Sequence, residues 1–196
     1  MKKRDFTLVE LLAVTALIAI LGGLGFAAFS YASSRGKEAA TKSLITRIGA
    51  GLEAVKIKHG SFPSSADYKD ILVTVNSSTG LIESISFDAG TTTHFGTNSK
   101  QLKTFLSVCD GESLKKSLDG AGKLTDAWGG KIKYRSPGLI NTVKFDLIAP
   151  GPDEGFGKNA TPAATPPTAV PSGESSVLDN YKTSGEWACD DIANFK

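Results

Sequence analysis

The sequence predicts an α+β protein in which a long N-terminal helix, apolar in its first half and amphipathic in its second, packs on a small antiparallel sheet. Three observations predict it. The run from Leu11 to Phe29 carries no charge, and Thr15 is its only residue that is neither apolar nor glycine. Leu44, Ile48, Leu52 and Val55 then recur at the spacing of one helix face. Further on, Ile132 and Tyr134, and then Val143, Phe145 and Leu147, alternate with polar neighbours, as strands with one covered face do.

Lys2, Lys3 and Arg4 precede the apolar run, an order that leaves the N-terminus cytoplasmic. As a helix, Leu11 to Phe29 would rise about 28 Å, close to the thickness of a bilayer core. This spacing predicts a single-pass membrane segment with its head on the side away from the cytoplasm. Glu10 stands at the edge of that run, where a carboxylate in lipid is unfavourable. It therefore needs either headgroup water or a positive partner. An α-amino group at Phe6, created by cleavage after Asp5 and belonging to a neighbouring subunit, is such a partner.

The amphipathic stretch continues to His59. Gly60 ends it, and Phe62-Pro63 follows as extended chain. The expected organisation is a leader at 1–5, a transmembrane and assembly helix at 6–29, and a stem helix at 30–60. A globular head follows at 61–157, then a Pro/Thr/Ala-rich insert at 158–186 and a returning tail at 187–196. Residues 64–125 offer only short apolar pieces, with short helices near Gln101–Val108 and Leu114–Leu118. In the head, Asp126 to Gly130 reads as a turn carrying Trp128. Trp128, Tyr134 and Phe145 are expected core residues. The insert is too poor in large apolar side chains to build a core.

Net charge is +2, and the first five residues supply the excess, so no nucleic-acid partner is expected. His59 and His94 are the only histidines. Neither lies in a ligand or triad motif, and no enzymatic activity is expected. Cys109 and Cys189 have no metal-ligand spacing. They are either a disulfide, permitted in a head outside the cytoplasm, or two buried thiols. The returning tail needs a tie. One candidate is packing of Trp187, Ile192 and Phe195. The other is a metal held by Asp153, Asp190 and Asp191, hard oxygen ligands that suit calcium.

A short basic leader, then Phe6-Thr7-Leu8-Val9-Glu10-Leu11-Leu12 and a long apolar run, resembles the type IV pilin-like family. The block Asp126-Ala127-Trp128-Gly129, Lys133-Tyr134-Arg135-Ser136-Pro137-Gly138, Phe145-Asp146-Leu147 and Gly151-Pro152-Asp153-Glu154-Gly155 is similar to the major pseudopilins of type II secretion. Asp5, Ala127 and Pro152 stand where those proteins usually have Gly, Pro and Ala. The resemblance implies a prepilin peptidase that cuts before Phe6 and methylates it, with Glu10 acting in assembly. It also implies structural calcium on Asp153, Asp190 and Asp191, with backbone carbonyls from Ala149 to Pro152. The implied placement is the inner membrane with a periplasmic head, and the implied role is a structural subunit of a periplasmic pseudopilus driving protein secretion. The alternative is a surface pilus for adhesion, motility or DNA uptake. The implied partners are further copies in a helical filament, minor pseudopilins and inner-membrane assembly proteins.

Overall fold

The structure, a computed structural model, describes residues 8–139, 141–153 and 192–194. It opens with helix α1, Leu8–His59, of 52 residues. Lys56, Lys58 and His59 occupy its last turn, where cations suit the exposed carbonyls. Gly60 closes it at φ +90°, a left-handed cap that glycine adopts without a Cβ clash. The chain divides into two compact units, Met1–Lys37 and Glu38–Lys196.

In the first unit the described apolar side chains of α1 are uncovered. Leu8, Val9, Leu11, Leu12, Leu17, Ile18, Ile20 and Leu21 are all exposed. In the second unit the same helix is amphipathic. Leu44, Ile45, Ile48, Leu52 and Val55 are buried, and they join one apolar core with strand and loop residues.

Among the described residues the head has six strands: β1 (Ser65–Asp70), β2 (Leu72–Val75), β3 (Ile82–Ser86), β4 (Lys133–Ser136), β5 (Asp146–Ala149) and β6 (Ile192–Ala193). They form a four-stranded sheet of order β1-β4-β5-β6 and a two-stranded sheet β2-β3. Every pairing is antiparallel. Tyr134 of β4 stands opposite Leu147 of β5, and Ala149 of β5 opposite Ile192 of β6. All four β5 residues are buried. Leu147 and Ala149 face the main core, whereas Ile148 packs with Tyr68, Leu139 and Ala193. A strand covered on both faces loses the polar-apolar alternation that a one-faced strand shows.

Two short helices, α2 (Lys100–Leu106) and α3 (Gly111–Lys116), are capped by side chains. The Ser99 hydroxyl accepts the Leu102 N–H, and the Asp110 carboxylate accepts those of Glu112 and Ser113. Such caps satisfy amide groups that a helix start leaves unpaired. The Ser113 hydroxyl, which also donates to this carboxylate, and the two capping N–H groups hold the Asp110 carboxyl below the usual carboxylate range. Gly51 lets α1 approach α2 closely, because a Cβ there would lie 2.8 Å from the Phe105 ring.

Asp70, at the end of β1, accepts from Lys133 on β4 at 2.6 Å and from Lys123 at 2.7 Å. Burial alone would raise its carboxyl pKa. The hydrogen bonds and charges of the two lysines outweigh that and hold it below the usual range.

These observations correct several expectations. Among the described residues no helix is long and apolar enough to cross a membrane. The transmembrane helix and the single-pass inner-membrane placement are therefore not retained. The architecture is a small α+β fold with two open sheets, in place of a pilin-like fold with a membrane-spanning helix. The pseudopilus and surface-pilus roles, which depended on that helix, go with it.

A smaller correction concerns Val143. It was expected on the buried face of a strand with Phe145 and Leu147, but it is 83% exposed. Residues 141–144 form a turn, in which the Lys144 N–H bonds the Asn141 carbonyl at 2.9 Å, and the strand begins only at Asp146.

Candidate functional site

The most organised polar centre of the head is the corner where the turn Asp126–Gly130 meets the segment Pro150–Asp153. Asp126 builds it. One carboxylate oxygen accepts the N–H groups of Trp128 at 2.9 Å and Gly130 at 2.8 Å. The other accepts the Gly151 N–H at 3.0 Å. The turn closes on itself through the Asp126 N–H and the Gly130 carbonyl at 2.8 Å. Helix α1 holds it from behind, since the Thr41 hydroxyl accepts the Ala127 N–H at 3.1 Å.

Only glycine fits at 130, because a Cβ there would come within 2.3 Å of the Pro150 ring. Gly129 takes φ +99°. Burial pushes the Asp126 carboxyl above its ordinary range, although the amide N–H groups pull the other way.

Gly151–Asp153 forms a single 3-10 turn directly after β5. Asp153 thus has a backbone position at this corner, while nothing is described of its side chain. Asp190 and Asp191 lie outside the described residues. So do Asp5, Phe6, Trp187, Cys189 and Phe195. Among the described residues no group of three His, Cys, Asp or Glu side chains is placed to hold a metal.

Tyr134 and Phe145 lie in the core, their rings stacked 5.9 Å apart. Trp128 is partly buried and packs against that core. Cys109 is fully buried, and its expected disulfide partner, Cys189, lies outside the described residues. Burial pushes the Cys109 pKa up to about 12, which leaves it little thiolate with which to react. Glu10 sits in the first turn of α1 and is exposed.

The two histidines are in separate places. His59 Nε2 lies 3.2 Å from the Thr104 hydroxyl, and His94 bridges two backbone groups. Neither touches Cys109 or Asp126 by any of these bonds.

The sequence places Asp126 only as one residue of a turn, and Asp146 only within a strand. An Asp followed closely by two glycines is nonetheless a signal, because such a side chain bonds the backbone two to four residues on. Asp146 had no such signal. It is fully buried, and it accepts from the Tyr68 hydroxyl at 2.9 Å and from the Asn141 N–H at 2.9 Å.

No protein family, no curated protein and no solved structure matches the chain in comparison. The resemblance to the pilin-like family therefore gains no support from them.

Proposed function

We propose that this chain is a non-enzymatic structural protein that associates with copies of itself. The single observation that carries this reading is the uncovered apolar surface of residues 8–21, where Leu12, Leu17, Ile18 and Leu21 are each more than half exposed. Contiguous apolar surface of this kind marks an interaction site. Burying one such side chain contributes about 1.5–3 kcal/mol. Glu10 and Thr15 are the only residues of the stretch that are not apolar, and the Thr15 hydroxyl is already spent on the Leu12 carbonyl. A surface so poor in charge and free hydrogen-bonding groups is suited to a like surface. The head supports a structural role, because its buried carboxylates Asp70, Asp126 and Asp146 are committed to lysine, backbone and tyrosine partners.

The test is sedimentation of the full chain over a concentration series, beside a Leu12→Glu/Ile18→Glu double variant. The wild-type chain should form oligomers, and the variant should weaken association by at least about tenfold, as the loss of a few kcal/mol of burial requires. Its head should keep the wild-type circular dichroism. A wild-type chain that stays monomeric throughout the series overturns the reading.

Calcium is a second proposal, on donor chemistry. The specific observation in its favour is the pairing of Ala149 with Ile192, which brings the sequence after the insert back to the strand that leads into Gly151–Asp153. Asp153, Asp190 and Asp191 would supply oxygen ligands of the type calcium takes. A cation that binds only the folded state stabilises it by about 2.7 kcal/mol at a hundredfold excess over Kd. Excess calcium should therefore raise the melting temperature of the full chain relative to chelator, and Asp153→Ala should remove the rise. Equal melting temperatures with calcium and with chelator would dismiss it.

A further inference from the structure

A cleft of about 460 Å³ lies beside β1, lined by Ser64, Lys69, Asp88, Thr91, Ser136 and neighbouring residues. Its hydroxyls do not await a ligand. Those of Ser65, Thr91 and Ser136 donate to the carbonyls of Asp67, Asp88 and Lys144. Asp88 is occupied by the Ser86 hydroxyl and the Thr92 N–H. The informative group is the histidine at its margin.

We propose that His94 is a proton-sensitive clasp that ties the chain leaving β3, at Phe87, to the chain entering β1, at Ser64, when its ring is neutral and lets go of that tie when the ring is protonated. The Phe87 backbone N–H points at Nδ1 from 3.2 Å. A backbone N–H can only donate, so Nδ1 must be the ring's lone-pair nitrogen. Nε2 lies 3.0 Å from the Ser64 carbonyl, which can only accept, so Nε2 must carry the proton. One tautomer of the neutral ring satisfies both partners. The other neutral tautomer fails at both ends, and the imidazolium fails at Nδ1.

The two partners belong to different parts of the head. Phe87 follows β3 of the two-stranded sheet, and Ser64 precedes β1 of the four-stranded sheet. Phe87 is also central to the core. Its fully buried ring meets those of Phe95, Phe105 and Tyr134 at 5.2, 6.2 and 4.8 Å, and the His94 ring at 6.0 Å.

Protonation would place an N–H at Nδ1 against the Phe87 N–H, so the bond is lost and the ring must turn away. Two charged groups bear on that movement. They are the Asp88 carboxylate, on the loop between β3 and His94, and Lys69 of β1, which lines the same cleft. Behind the clasp, Ile85 and Phe95 exchange two backbone hydrogen bonds at 2.9 and 3.0 Å. That pair stays fixed while the clasp opens.

The test uses nuclear magnetic resonance on the full chain. Ring nitrogen shifts report the His94 tautomer, and amide hydrogen exchange reports Phe87 protection, with Ile85 as internal reference. The neutral ring should carry its proton on Nε2. Phe87 protection should fall about tenfold relative to Ile85 as the ring protonates, the size expected for one hydrogen bond. His94→Ala, which has no acceptor to offer, should show low Phe87 protection at every pH. A proton on Nδ1 of the neutral ring, or Phe87 protection that follows Ile85 throughout the titration, overturns the proposal. Both wild-type readings decide it even if the variant does not fold.

Discussion

Replacing Tyr134 with alanine is expected to lower the unfolding free energy by about 3–5 kcal/mol, the cost of emptying a large aromatic site in a close-packed core. Tyr134 is fully buried. It stacks on Phe145 and lies against Phe87, between the stripe of α1 and the sheet. Its hydroxyl donates to the Pro63 carbonyl at 2.7 Å, which fixes the chain as it leaves α1 and enters β1. Burial raises the phenol pKa, so the group stays a donor throughout the usual pH range.

Tyr134→Phe should keep the packing and lose the donor, leaving a buried carbonyl without that partner at about 1–3 kcal/mol. Urea denaturation of the three proteins, followed by circular dichroism, separates the two contributions. If phenylalanine were as stable as tyrosine, the bond to Pro63 would be energetically idle. If it were as damaging as alanine, the packing argument would fail.

The second large effect is expected at Asp126. Alanine there strands the N–H groups of Trp128, Gly130 and Gly151, each otherwise bonded at 3.0 Å or less. At about 1–3 kcal/mol for each buried donor left unpaired, the sum is of the order of a small domain's stability. Asp126→Asn would be milder, since the new amide oxygen can still accept from Trp128 and Gly130 while its NH2 faces the Gly151 N–H. The order of stability should be wild type, then the asparagine variant, then the alanine variant, read from urea midpoints.

The pH dependence has a definite sign. With the folded carboxyl pKa above its ordinary value, the native state holds the proton more tightly than the unfolded chain. The stabilisation from that proton is complete below the unfolded pKa and fades as pH rises through the folded one. Asp126→Asn should therefore remove one component of stability that declines with rising pH. An Asp126→Ala protein as stable as wild type would show that the corner is held by packing alone.

How far the sequence discloses these features depends on whether a local pattern exists. Leu44, Ile48, Leu52 and Val55 are legible because a helix buried along one side must repeat its apolar residues at its own period. Gly60 after the basic last turn is legible as a cap for the same local reason. Strand β1 was not legible. Ser-Ala-Asp-Tyr-Lys-Asp offers one large apolar residue, and its structure comes from pairing with β4 far along the chain. Val143 misled because alternation is a weak signal over three positions, and a turn claimed it.

The membrane reading came from the composition of residues 11–29, whereas the described part of α1 gives no helix long and apolar enough to span. At the candidate site, the turn at Asp126 was visible. Its link to Gly151 was not, because no local spacing encodes a bond across 25 positions.

Asn194 and β6 bear on how the protein is made as well as on how it stands. The Asn194 backbone N–H and side-chain oxygen take up the free carbonyl and N–H of Leu147 at 3.1 and 2.7 Å, and its amide nitrogen caps the Phe145 carbonyl at 3.1 Å. A growing polypeptide produces β5 well before these groups emerge from the ribosome. Through that interval one side of the central strand is an open template for any extended peptide nearby. Quality control during synthesis would then hinge on how promptly this small polar latch arrives.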